Sequence, residues 1–354
     1  MPINAAYTPM PWGEYRSPDD TATGMNLRGS YRYFDDHFAD DRGNINHGNL
    51  RWRYWGLKNK AEYGYDFDLQ TNAFKARDIE LNYDVSANAN FKKYPDRQRD
   101  YFLFGGVDNK FSAREEGVSF LAKLGIGKGR YYNVNPLIQA GRIEEKLIAA
   151  EYIKEPFGTE VILDIAEKTA LSQTVAARVN QIARYLQEQE GLEFESSTAA
   201  MNMIRDVLQM PNRQRNYGWE IKTGVSYPLS VYEGREVSTN LLAEAKFAIP
   251  LSFVTQFNLS GQISTPVFVE EELLNASLEG DLSHELTDNI DLRGQLSYNL
   301  QQREERLSFW SLRGSGEFQI NENLSMILST RVTDFTRYEE ATFDFNTTFN
   351  YKIF

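Results

Sequence analysis

From Leu274 to the end of the chain, apolar and polar residues take turns. Leu274, Ala276, Leu278, Gly280 and Leu282 alternate with Asn275, Ser277, Glu279, Asp281 and Ser283. After Thr287-Asp288-Asn289 the pattern restarts, with Ile290, Leu292, Gly294, Leu296, Tyr298 and Leu300 set against Asp291, Arg293, Gln295, Ser297, Asn299 and Gln301. Successive side chains of a strand point to opposite faces, so each run has one apolar and one polar wall. Two more runs follow, Leu312/Gly314/Gly316/Phe318 and Leu324/Met326/Leu328/Thr330/Val332, and the chain stops on Thr347 to Phe354. Upstream, Trp219/Ile221/Thr223/Val225, Leu241/Ala243/Ala245/Phe247 and Phe253 to Ile263 repeat the scheme. The first third does likewise. Met25 to Tyr33 alternate with Asn26, Arg28, Ser30 and Arg32, and Leu50, Trp52 and Tyr54 with Arg51 and Arg53. Ala61 to Leu69 alternate with Glu62, Asp66 and Asp68, and Ile79 to Ala89 with Glu80, Asn82, Asp84, Ser86 and Asn88. With weaker runs over 99–108 and 117–130, this predicts six strands, an interruption, then eight strands.

The interruption has a different period. From Pro136 to Met210 the apolar positions fall three or four apart: Ile143, Leu147, Ala150; Val161, Ile165; Val175, Val179, Ile182, Leu186; Met201, Ile204, Leu208. That step predicts three or four amphipathic helices over ~75 residues, broken at Pro156-Phe157-Gly158, near 169–173 and at Gly191. None is apolar all round, so none is expected to cross lipid. The chain divides into an extended, proline-rich lead-in (1–22), strands one to six (23–134), a helical insert (135–213) and strands seven to fourteen (214–354).

Alternating runs of about ten residues that close on an aromatic residue resemble the last strands of bacterial outer-membrane β-barrels, the porin-like superfamily. The resemblance covers both strand-rich halves and not the insert. It implies a closed antiparallel transmembrane β-barrel of about fourteen strands with an α-helical insert between strands six and seven, placed in the bacterial outer membrane with lipid as its first partner. Tyr351 and Ile353 continue the apolar face and leave Phe354 out of phase by one. Connections alternate in length: short ones at Ile249-Pro250, Thr287–Asn289 and Ile320–Asn323, and longer polar ones at 228–237, 264–272, 301–308 and 333–340. Such barrels have short periplasmic turns and long outer loops, so counting puts the insert on the periplasmic side, either below the barrel or in the lumen as a plug. A soluble β-sandwich also alternates, but its strands average about five or six residues and its inner face is not crowded with charge.

Composition changes the picture in a few places. No run of eighteen apolar residues exists, which excludes a transmembrane helix and leaves a barrel open, since barrel strands show lipid only at every second residue. A net charge of −12 argues against a nucleic-acid partner. Twenty-two Phe and twenty Tyr suit strands and membrane-interface belts. The absence of cysteine is compatible with an envelope compartment. Met1-Pro2-Ile3-Asn4 carries no secretory signal, so the numbering is expected to begin at a processed or re-engineered start.

Sorted by strand, the charges on the polar face segregate. A basic wall of Arg28, Arg32, Arg51 and Arg53 is joined on closure by Arg313, Arg331 and Lys352 from the last strands. An acidic wall answers with Glu62, Asp66, Asp68, Glu80, Asp84, Glu279 and Asp281. Opposed walls set a field across a pore and select permeants by charge, whereas local ion pairs would brace the barrel instead. Of three histidines, His284 falls on the lipid side, and His37 lies in the acidic run Asp35–Asp41. A carboxylate–histidine dyad or a divalent-cation site could be built from that run, but solvated acidic loops are the commoner case. No phosphate loop, zinc spacing or nucleophile elbow occurs, so neither an enzyme nor a cofactor is expected. The reading is a channel for small hydrophilic solutes, narrowed or gated by the insert. The alternative is a structural or export component whose residues 136–212 dock an envelope protein.

Overall fold

The computed structural model describes the chain except for residues 1–8, 17–18, 35–44, 77–78, 97–99, 114–116, 171–173, 190–191, 193, 211–214, 232–237, 268–273, 288, 303–305, 322, 336–340 and 353–354. His37, the acidic run 35–41 and Phe354 lie outside the described residues.

Fourteen strands close into one antiparallel barrel, each paired with its sequence neighbours and β1 with β14. They are β1 (Asp19–Phe34), β2 (Ile45–Lys60), β3 (Tyr63–Ala76), β4 (Ile79–Lys93), β5 (Tyr101–Ser112) and β6 (Val118–Asn133), then β7 (Asn216–Ser230) and β8 (Asn240–Pro250). The remainder are β9 (Thr255–Pro266), β10 (Leu274–Thr287), β11 (Ile290–Gln302), β12 (Arg306–Gln319), β13 (Leu324–Phe335) and β14 (Thr342–Lys352). Four helices stand between β6 and β7: α1 (Asn135–Ala149), α2 (Thr159–Ala170), α3 (Val175–Glu188) and α4 (Thr198–Gln209). The architecture is the predicted one. Closure is visible in the pairing of Arg28 with Asn350 and Leu27 with Tyr351.

The chain resolves into two compact units. One holds Thr21–Gly129, Glu220–Lys246 and Asn258–Phe354; the other holds Met1–Asp20, Arg130–Trp219 and Phe247–Phe257. In the barrel unit, alternation decides which face each residue takes. Leu282, Gly294, Gly314, Thr330 and Phe345 form one row across β10 to β14 on the outer face. Outer residues are far from water-shy in position: Leu124 is 67% exposed, Ile126 58%, Leu296 54% and Phe343 68%. A belt of exposed Leu, Ile, Phe and Tyr all round a closed sheet is the surface that lipid covers.

The barrel unit has a small apolar cluster of Tyr94, Phe102, Phe104 and Leu242, and the helical unit holds the larger apolar core. Leu137, Ile143, Leu147, Ile162, Ile165, Ile182, Leu186 and Ile204 are all fully buried in it. Its ends are capped as physics requires. Thr174 accepts from Ala177 N at the start of α3 and Ser197 from Ala200 N at the start of α4, satisfying amides with no partner in their helices. Pro136 occupies the first turn of α1. The buried Asn135 side chain accepts from Arg215 N at 2.8 Å, tying the entry of the helical segment to its exit.

Two expectations need correction. The stretch 1–22 is not simply a lead-in: β1 begins at Asp19, and Tyr15 is buried in the helical core with Met10 and Trp12 packed beside it. The β8–β9 turn is 251–254 rather than Ile249-Pro250, with Leu251 N bonded to Thr255 O. Arg142 and Arg215 explain the shift. Their guanidinium groups donate to the carbonyls of Phe253 and Val254, so Phe253 belongs to this turn and not to a strand.

Candidate functional site: the inner wall of the barrel

Inner positions follow directly from strand register. On β2 they are the odd residues from Arg51 to Leu57, facing the even residues Asn72 to Asp66 of β3. On β11 they are Arg293, Gln295 and Ser297, between Ser283, Asp281 and Glu279 of β10 and Ser315, Arg313 and Ser311 of β12. Arg28, Arg51, Arg53, Arg313, Arg331, Asp66, Asp68, Asp84, Glu279 and Asp281 all take inner positions. Glu62 does not: it sits in the bend before β3, where its carbonyl accepts from Tyr94 N. Arg32 and Glu80 lie on β1 and β4, but their side chains, like that of Lys352, are outside the described ones.

The two walls do not face each other as intact sheets of charge. Arg53 Nε donates to Asp68 Oδ2 at 2.5 Å, and Arg293 forms an ion pair with Asp281. Asp281 is 6% exposed and also accepts from Asn258 at 3.2 Å. The other named carboxylates accept from neutral groups: Asp66 from Asn90, Asp84 from Ser112, Glu279 from Gln295. Three of the basic residues likewise meet neutral oxygens. Arg28 donates to Asn350 at 3.3 Å, Arg51 to Asn72 at 2.6 Å and Arg313 to Ser329 at 3.2 Å. Direct neutralisation is therefore local, and part of the basic wall keeps its charge. Arg313 and Arg331 are direct cross-strand partners, a like-charged juxtaposition that a sheet does not favour by itself.

Sequence reasoning missed a second charged group, on β4 to β8. Lys92 pairs with Glu220 at 2.5 Å, Lys222 with Glu244 at 2.8 Å, and Lys123 with Asp108. Lys92 and Glu220 come from strands separated by β5 and β6. They reach each other over Phe102 and Phe104, which lie against Gly127 and Gly125 of β6. A Cβ on Gly127 would fall 2.2 Å from Phe102 Cζ. Lys92 stands 5.4 Å from the Phe102 ring centre and Lys222 5.2 Å from that of Phe104, both within cation–π range. The usable signal was present: Glu220/Lys222 and Glu244/Lys246 each put two charges on one face of a strand.

Against the inner wall of β8 to β13 lies a cavity of about 500 Å³. Its lining is mostly hydroxyl, amide and charged groups, including Ser260, Ser277, Ser297, Gln295, Lys246 and Arg313. His284 is on β10, among the residues of a lipid-side groove with Leu282, Leu292 and Phe345. Among the described residues no group of three His, Asp or Glu could hold a metal ion.

No protein-family model and no curated protein sequence matches the chain. Solved structures that resemble it include the outer membrane protein Omp33 of Acinetobacter baumannii, at 8% identity and a TM-score of 0.39, covering 96% of this chain and 100% of that one. The outer-membrane OmpT of Vibrio cholerae follows at 7% and 0.40, covering 95% and 98%. OprB of Pseudomonas putida follows at 5% and 0.42, covering 95% and 94%. Likeness at this level says nothing of what passes through a barrel. The chain's own build does more: strands that leave no open edge, a polar interior and an apolar belt make it a closed transmembrane β-barrel.

Proposed function

We propose that the barrel is a channel for small hydrophilic solutes and that the helical insert limits the flow through it. The observation that carries this reading is the cavity of about 500 Å³ on the inner wall, lined by serine, glutamine and charged side chains. A wall of that chemistry replaces the hydration shell of a polar solute as it passes, which is how pores admit some solutes and reject others. Support for a limiting role comes from connectivity. α1 starts two residues after β6 ends, and Val134 N bonds to Arg215 O, so the bundle is tethered at both ends to adjacent strands. On this reading the first strand leaves from the periplasm, and the six strands before the insert bring the chain back there.

Planar-bilayer recordings test both parts. Full-length protein should conduct in steps, and a chain lacking 136–212 should conduct more. If neither passes current, the channel reading fails. Equal currents would remove the insert's limiting role and favour an insert that docks an envelope protein.

A further inference from the structure

We infer that the inner-wall cavity is a binding site for an anionic, polyhydroxylated solute: a sugar acid whose carboxylate lies against Arg313 and Arg331. The inference rests on the channel reading and deepens it by naming the permeant class. Charge is the first reason. Lys246, Arg313 and Arg331 line the cavity together with Glu244 and Glu279. Glu244 is already committed to Lys222 at 2.8 Å, whereas Glu279 accepts from the neutral Gln295 at 2.7 Å and keeps its charge, so three cations of the lining stand against one carboxylate outside an ion pair. Lys246 stands in a neighbourhood of further lysines, Lys92 and Lys222, and of Glu220 and Glu244.

Register is the second reason. Arg313 and Arg331 are direct cross-strand partners on β12 and β13, with Asp344 next across from Arg331 on β14. Arg293 and Arg28 add to the repulsion at Arg313. Two guanidinium groups held side by side offer a planar, forked set of donors that matches a carboxylate, and an anion between them relieves their repulsion. Arg313 spends one donor on the neutral Ser329 hydroxyl, which leaves its charge in place.

The rest of the lining supplies the class of solute. Ser260, Gln262, Ser277, Ser297 and Ser311 present hydroxyls and amides from four neighbouring strands, with Ser297 Oγ and Ser311 Oγ 2.8 Å apart. Groups that both donate and accept suit vicinal hydroxyls. Phe309 adds an apolar face of the kind that covers the C–H side of a sugar ring. The volume falls in the range of small-molecule sites.

The test uses full-length protein in planar bilayers, with galacturonate, galactose and acetate as probes, and equilibrium dialysis of the same probes against protein in detergent. Galacturonate should interrupt the single-channel current and saturate. Galactose and acetate should each require roughly tenfold or more concentration, since each lacks one half of the recognition. Arg313→Gln with Arg331→Gln should weaken galacturonate about tenfold to a hundredfold while galactose is unmoved. Arg331→Lys should recover part of the loss, and Lys246→Gln alone should weaken galacturonate less. Folding of each variant is checked by the shift of barrel mobility on heating. Steps of current with no galacturonate preference in either assay overturn the sugar-acid site and leave the channel standing. No current from any chain ends the channel reading, and galacturonate retained in dialysis would then show a binding site without a pore.

Discussion

Leu296 offers the sharpest test of what covers the outer face. It sits at the middle of β11, 54% exposed, with Gly280 and Leu312 as its cross-strand partners. On a water-soluble protein a leucine this exposed could become arginine within about 0.5 kcal/mol. In a barrel at the bilayer midplane the same change costs about 2–4 kcal/mol, because the guanidinium enters hydrocarbon or deforms it. At 1.4 kcal/mol per decade, the folded-to-unfolded ratio should fall roughly thirty- to a thousandfold. Ser297, one residue on, provides the control. Its side chain points inward, paired in register with Glu279 and Ser311, so Ser297→Arg should cost less than about 1 kcal/mol. The assay is urea unfolding in phospholipid vesicles, followed by tryptophan fluorescence and by heat-dependent gel mobility. Equal stabilities for Leu296→Arg and Ser297→Arg would refute the assignment of the two faces, and with it the membrane.

Three further outcomes follow from single contacts. Glu144 is wholly buried in α1, and its carboxylate accepts from Phe157 N at 2.6 Å; Glu144→Ala strands that amide and should cost about 1–3 kcal/mol, read as an earlier loss of helical circular dichroism, with Glu144→Gln recovering part. Gly125→Ala would put a Cβ 2.2 Å from the Thr223 carbonyl, which backbone cannot yield, whereas nothing lies within 4 Å of Gly294; the first should lower folding yield by an equivalent of about 1–3 kcal/mol and the second should not. Burial, and then the hydrogen bond to Asp164, hold the Tyr185 phenol above its ordinary value of 10.0. A raised folded value gives stability that is whole below the unfolded one and is lost as pH climbs through the folded one. Helical signal in the full chain should therefore fall above pH 10, and more steeply than in Tyr185→Phe, which has no proton to lose.

Much of the barrel was legible because two solvents enforce period two: lipid on one face and water on the other leave no strand free to slip by one residue. The runs through Leu278, Leu292 and Leu312 show this directly. The helical insert was legible for the corresponding reason, since Ile143, Leu147, Ile165 and Ile182 all turned to one core. What escaped was non-local. Trp12 and Tyr15 sit among prolines with no period, and only the folded chain shows that they complete the helical core. Pro250 reads as a turn, yet it merely ends β8, because Arg142 and Arg215 draw the turn on to 251–254.

The charged site escaped for a further reason, and its geometry shows why. Arg53 is in register with Gln70 but bonds Asp68; Arg293 is in register with Ser283 but bonds Asp281. Lys123 is in register with Gly106 but bonds Asp108. All three pairs run diagonally, two residues off the direct partner, a distance long side chains span between twisted strands. A listing of charges by strand cannot see a diagonal, so it sets whole walls against each other where the fold joins individual groups. Once those diagonals are drawn, Arg53, Arg293 and Lys123 are accounted for, and Arg28, Arg51 and Arg313 remain against neutral partners. The charge that survives pairing, not the charge that the strands carry, is what the inner wall presents.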